Sequence, residues 1–95
     1  MPAILGVLTL DLEIPGASTL KEKRSAVKSL RERLIDQFIA SVAETDQLDD
    51  PRRATLTVAC VSNDRKHLEA LLSRIEAAAS RDRDMVLEGA FIEIL

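Results

Sequence analysis

Between Ser18 and Arg33 the chain places Lys21, Lys23, Arg24, Lys28, Arg31 and Arg33 against only Glu22 and Glu32. Six cations less two anions leave a local excess of +4 in a protein whose formal net charge is −3. On a helix advancing about 100° per residue, Lys21, Arg24, Lys28 and Arg31 fall within about 80° of one another. They form one positive ridge on the flank of the helix, next to its apolar stripe. Such a ridge suits RNA phosphates, whose bound counterions it would release, or an acidic protein surface. The plain alternative is a solvated face with i, i+4 pairs such as Lys28 with Glu32, each contributing about 0.2–0.5 kcal/mol. Lys23 falls on the other side of the stripe, where its stem is expected to lie on the core while its ammonium reaches water. Lys21, Lys23, Arg24, Lys28 and Arg31 are therefore the candidate RNA- or partner-binding residues.

The remaining chemistry-bearing residues point away from catalysis. His67 falls on the first turn of a predicted helix with no serine or cysteine nucleophile predictably beside it, and reads as a solvated helical residue. Cys60, the single cysteine, falls inside a predicted central strand and reads as a small buried hydrophobe. Being alone, it excludes an internal disulfide framework and a cysteine-only metal site. Glu44, Asp46, Asp49 and Asp50 cluster just before Arg52 and Arg53, but the spacing lacks the glycine and terminal glutamate of a calcium loop. Aspartates beside Pro51 are expected to make a turn. No catalytic residue, metal site or cofactor is expected, and the chain reads as a non-enzyme.

The elements that must position the ridge follow from periodicity. Ile4, Leu8, Leu10, Leu12 and Ile14 alternate with Thr9, Asp11 and Glu13, the period of a strand, which Pro15 and Gly16 end. Thr19 with Glu22 offers a capping box, and a helix is predicted from about Leu20 to Gln37 with Leu20, Val27, Leu30, Leu34 and Phe38 inward. Ile39 to Thr45 reads as a short edge strand, Asp46 to Pro51 as a hairpin loop, and Arg53 to Ser62 as a third strand with Leu56, Val58 and Cys60 facing one way. Ser62, Asn63 and Asp64 are competent N-caps for a second helix carrying Leu68, Leu71, Leu72, Ile75 and Ala79 and ending near Ser80. Met85 to Leu95 reads as a last strand.

This β-α-β-β-α-β order is that of an α+β ferredoxin-like sandwich: a four-stranded antiparallel sheet, order 4-1-3-2, with two helices on one face. Ninety-five residues, 46% hydrophobic and 31% charged, support one domain, residues 1–95. The uncovered sheet face is expected to carry Leu5, Val7 and Thr9 with Thr55, Thr57, Ala59 and Val61. Part of that surface is apolar, which favours a homodimer. Base stacking in the manner of RNA-recognition motifs is excluded, because Phe38 and Phe91 are the only aromatic residues. The loop IPGAST lacks the paired cysteines of a heavy-metal-binding domain and the arginine of an acylphosphatase-like enzyme. Asp11 and Glu13 interrupt the N-terminal apolar run before it reaches membrane-spanning length, and no basic start or cleavage signal precedes it. A cytoplasmic protein is expected.

Three segments in order carry a family resemblance: Thr19-Leu20-Lys21-Glu22-Lys23-Arg24, then Ser41-Val42-Ala43-Glu44, then Val58-Ala59-Cys60-Val61-Ser62-Asn63-Asp64. With them the chain resembles the YlxP-like family, a bacterial domain of unknown function, over nearly its whole length. The resemblance implies the ferredoxin-like fold and a small cytoplasmic protein without established enzymatic activity. Family genes often neighbour those for a transcription factor, translation initiation factor two and a ribosome-binding factor, which implies work on ribosome maturation or translation. Two departures stand out. Family members often read close to DHQDLWQRA where this chain has Asp46 to Ala54, so the family's His and Trp are absent. Thr19 replaces the family's serine and keeps its capping role.

The expected function is that of a non-enzymatic cytoplasmic factor associated with the ribosome or RNA through the basic face of the first helix. The alternative is a homodimeric regulatory module that binds a small molecule at its sheet interface.

Overall fold

The computed structural model describes residues 2–95. Its elements are β1 (Ile4–Glu13), α1 (Leu20–Gln37), β2 (Ser41–Asp46), β3 (Arg53–Ser62), α2 (Arg65–Ser80) and β4 (Val86–Ile94). The strands form one antiparallel sheet in the order β2-β3-β1-β4, which is the expected 4-1-3-2 order taken from the other edge. The second strand starts two residues later than periodicity suggested: Ile39 lies outside it and is 95% exposed.

β1 pairs with β3 along its full length, from Ile4 opposite Ser62 to Glu13 opposite Arg53. Alternation then sends Leu8, Leu10, Leu12, Leu56, Val58 and Cys60 to the face the helices cover, and all are buried. Val27, Leu30 and Leu34 of α1 and Leu68, Leu72, Ile75 and Ala79 of α2 close over them as one core. A buried aliphatic side chain contributes about 1.5–3 kcal/mol; this shared core is what holds two individually marginal helices in place. α1 packs over β2 and β3, and α2 over β1, β3 and β4.

Gly6 interrupts the run of large residues on the covered face of β1 for a steric reason. A Cβ there would meet Leu72 Cδ1 at 2.8 Å and Leu68 Cγ at 2.9 Å, so the missing side chain is what lets α2 seat directly on the strand. The pairing shifts register between Asp11 and Leu12 against β4, and between Glu44 and Asp46 against β3. The second irregularity turns the end of β2 into the hairpin loop that meets α1.

The uncovered face carries Leu5, Val7, Thr9, Thr57, Ala59 and Val61, with Phe91 of β4 opposite Thr9. Thr55 belongs to the same face yet is buried, because the Gln47 amide donates to its hydroxyl at 3.1 Å and the hydroxyl in turn donates to Asp11 at 3.1 Å.

Candidate nucleic-acid interface

The start of α1 is set by its own side chains. Thr19 is the N-cap, its Oγ1 accepting from the Glu22 amide at 3.1 Å. Glu22 Oε1 reaches back to accept from the Ser18 amide at 3.1 Å, the Ser18 hydroxyl at 2.8 Å and the Thr19 hydroxyl at 3.2 Å. The reciprocal bond of the capping box thus lands one residue earlier than usual. Ser18 and then Thr19 hold the Glu22 carboxyl below the usual glutamate range, since their hydrogen bonds favour the charged form.

Four of the five predicted binding residues lie together on the surface of this helix. Lys21, Arg24, Lys28 and Arg31 are exposed, on the flank adjoining the β2 edge. Lys21 and Arg24 form no ion pair among the described residues. Lys28 approaches Glu32 at 3.9 Å with 73% of its side chain exposed, an i, i+4 contact too loose and wet to neutralise it. Arg31 donates from Nε to the Val42 carbonyl at 2.8 Å, engaging one of its five N–H donors and placing a cation on the edge strand.

Lys23 is the correction. Instead of reaching water it is completely buried. Its Nζ donates to the carbonyls of Gln47 at 2.8 Å, Arg53 at 3.2 Å and Leu48 at 3.3 Å, and lies 2.8 Å from Glu44 Oε2. Glu44 Oε2 is enclosed, and the contact lacks hydrogen-bond alignment at that oxygen, so the pair is ionic and the carbonyls take the directed bonds. The physical reason is position: Lys23, Val27, Leu30 and Leu34 stand at i, i+4, i+7 and i+11, all buried on one stripe. Lys23 therefore begins the inward face, and sequence spacing held that signal. Its ammonium ties α1 to the hairpin loop, where Gln47 takes a left-handed conformation with φ 57°. It presents no charge to a partner.

Arg33, on the far side of α1, pairs with Asp82 after α2 and ties the two helices' ends together. An open groove of about 620 Å³ lies on the side of α1 away from β2, with Ser25 and Ser29 of α1 on one wall and Arg83 and Asp84 on the other, and none of the four exposed cations lines it. Sequence reasoning passed over these two serines, although their i, i+4 spacing puts them on one face of α1, about 100° round the axis from the middle of the cation row.

The other singled-out residues are elsewhere. Cys60 is buried under the helices, and burial pushes its thiol up from the ordinary range. His67 is exposed on the first turn of α2, whose cap is Asp64 Oδ1 accepting from the His67 amide at 3.2 Å. In the Asp-rich loop, Asp46 accepts from the Gln47 amide at 2.8 Å and Asp50 from the Arg52 amide at 2.9 Å, which is turn chemistry. Among the described residues no three or more His, Cys, Asp or Glu side chains are grouped to hold a metal ion, and no helix is long and apolar enough to cross a membrane.

Comparison with known proteins agrees with the motifs. The chain is similar to "Uncharacterized protein YlxP" of Bacillus subtilis (strain 168), 31% identical over 74 residues that make up 78% of this chain and 80% of the relative. Among solved structures it is similar to the de novo designed protein Foldit4, with a TM-score of 0.58 at 10% identity over 99% of this chain and 97% of that one, which concerns the fold alone. The profile of the family described as "Protein of unknown function (DUF503)" matches residues 5–90, and the chain therefore belongs to that family.

Proposed function

We propose that this protein is a non-enzymatic cytoplasmic factor that associates with RNA, ribosomal RNA in particular, through Lys21, Arg24, Lys28 and Arg31. The observation that carries this reading is the exposed row on α1, in which Lys21 and Arg24 have no carboxylate partner among the described residues. An unneutralised row of cations on a protein of net charge −3 is a local site for an anionic surface rather than a generally basic protein. The resemblance to a family whose genes neighbour translation factors supports the same direction by association. Sedimentation of the tagged protein with ribosomal subunits from its own host, at two salt concentrations, tests it. Co-migration at low salt that fades at high salt is the expected result, and a protein that stays at the top of both gradients refutes it.

A second reading, a homodimer that takes a small molecule at its sheet interface, draws on the other surface. Leu5, Val61, Ile39 and Leu95 are exposed aliphatics, Leu5 lies opposite Val61, and the Leu95 amide donates to the Leu5 carbonyl at 2.8 Å. A shallow groove of about 300 Å³ between Ile39 and Val61 adjoins them. Apolar side chains grouped in this way favour burial against a second copy. Light scattering at micromolar concentration decides it: a mass that stays at 10.5 kDa across the dilution series removes the dimer.

A further inference from the structure

We infer that the ridge recognises the backbone of an A-form RNA duplex, by shape, rather than single-stranded RNA or B-form DNA; this rests on the RNA-binding reading above and names its substrate class. From Lys21 to Arg31 the helix rises about 15 Å, at about 1.5 Å per residue. The four cations are fixed along that length by a helix locked to the sheet. A rigid straight row matches the regularly spaced phosphates of one strand held in a stiff double helix, which a flexible single strand does not present.

Three features separate the possible nucleic acids. Sequence-tolerant binding of single strands depends on bases stacking on aromatic rings. Here Phe38 packs against the core at the end of α1, and Phe91 lies on the opposite face of the sheet. Reading B-form DNA through its major groove requires an element that enters it, an α-helix or a two-stranded ribbon, and aims side chains at base edges. The α1 ridge instead sits on a shoulder, held beside the β2 edge by the bond from Arg31 to Val42. The wide, shallow minor groove of A-form RNA accepts such a blunt surface, and displays 2′-hydroxyls that DNA lacks.

About 100° round α1 from the middle of the cation row stand the exposed hydroxyls of Ser25 and Ser29, with Arg83 across the groove they line. A helix with its side chains is about 10–12 Å across. One RNA strand then lies along Lys21, Arg24, Lys28 and Arg31, the serines meet 2′-hydroxyls, and Arg83 faces the second strand. Glu22 and Asp84 also line the groove, and Glu22 keeps its negative charge while accepting from Ser18 and Thr19, so the phosphates stay on the ridge and the α1 wall of the groove meets the strand through hydroxyls.

The test is fluorescence anisotropy with three labelled probes of one sequence at two salt concentrations: a blunt RNA duplex of about 16 base pairs, its single strand, and the matching DNA duplex. The expected result is binding to the RNA duplex at least about tenfold tighter than to either of the others, a preference set by backbone shape and 2′-hydroxyls. Ser25→Ala with Ser29→Ala, exposed changes that favour the helix, should bring RNA-duplex affinity down toward the DNA value while leaving the salt slope alone. Single-stranded RNA bound as tightly as the duplex overturns this inference and leaves the broader RNA reading standing. Equal affinity for RNA and DNA duplexes in the parent protein also overturns it. Binding to none of the probes, together with ribonuclease-resistant association with ribosomal subunits, overturns both.

Discussion

Lys23 Nζ and Glu44 Oε2 lie 2.8 Å apart beneath the hairpin loop, the lysine wholly buried and the glutamate side chain 16% exposed. One end of this pair starts the inward stripe of α1, and the other is the last inward residue of β2 before its irregularity. Because the ammonium also takes the carbonyls of Gln47, Leu48 and Arg53, it satisfies backbone groups that the loop turns inward. A buried charge is tolerable where its protons are all used, and strongly destabilising where one partner is removed.

Lys23→Ala is therefore expected to destabilise the fold by about 3–5 kcal/mol, since it strands Glu44 and the three carbonyls together. Glu44→Gln should cost less, because the carbonyls still occupy the ammonium. Urea denaturation of both variants and of the Lys23→Ala, Glu44→Gln pair measures the coupling. A Lys23→Ala midpoint equal to that of the parent would show that the side chain is solvated.

Gly6→Ala should destabilise by about 1–3 kcal/mol, the usual range for overpacking a tight interior. The added methyl meets Leu68 and Leu72 at under 3 Å, so α2 must lift from β1. Pairing the change with Leu72→Ala should recover part of the loss if the clash is with that side chain, as thermal denaturation would register. No recovery would point to Leu68 as the obstruction.

Thr19→Ala removes the acceptor of the Glu22 amide and is expected to cost about 1 kcal/mol, typical of a lost N-cap. Glu22 adds a pH dependence. Its folded pKa is lowered, chiefly by Ser18, so its stabilisation is complete above the ordinary glutamate range and is lost as the pH falls through the depressed folded value. Glu22→Gln should flatten this part of the stability profile, and circular dichroism melts across acidic pH would reveal whether it does.

On the ridge, Arg24→Ala and Lys28→Ala should leave the fold intact while weakening RNA association. Each lost phosphate contact should reduce the slope of log affinity against log salt by roughly 0.7–0.9. Arg33 is unsuited as the charge-matched control, because its pairing with Asp82 joins the helices. Lys66, exposed on α2 and without an ion pair among the described residues, serves instead. Equal weakening by Lys66→Ala would mean that net charge, not the ridge, governs binding.

Cys60 should resist thiol reagents in the native protein and react once denatured, because burial both blocks access and raises its pKa. Rapid labelling under native conditions would indicate that the end of β3 beneath Ile39 and Ala40 opens readily.

The sequence by itself determined the element order, the sheet topology, the caps at Thr19 and Asp64, and the clustering of Lys21, Arg24, Lys28 and Arg31, because each depends on a local period or a short-range bond. It also held the motifs that place the chain in its family. What only the tertiary structure decided was where each charge ends up. Lys23 and Lys28 are both lysines on one helix, yet the first is buried and the second open to solvent. The difference arises because β2, the β2–β3 loop and the start of β3, distant in sequence, together bring Glu44 and the carbonyls of Gln47, Leu48 and Arg53 to one of them only. In the same way Gly6 looks like a gap in an apolar alternation until α2 is laid across it, and Arg33 looks like a free surface charge until the segment after α2 brings Asp82 beside it. Periodicity reports which face a residue takes; the partner awaiting it there is set by contacts between segments far apart in the chain.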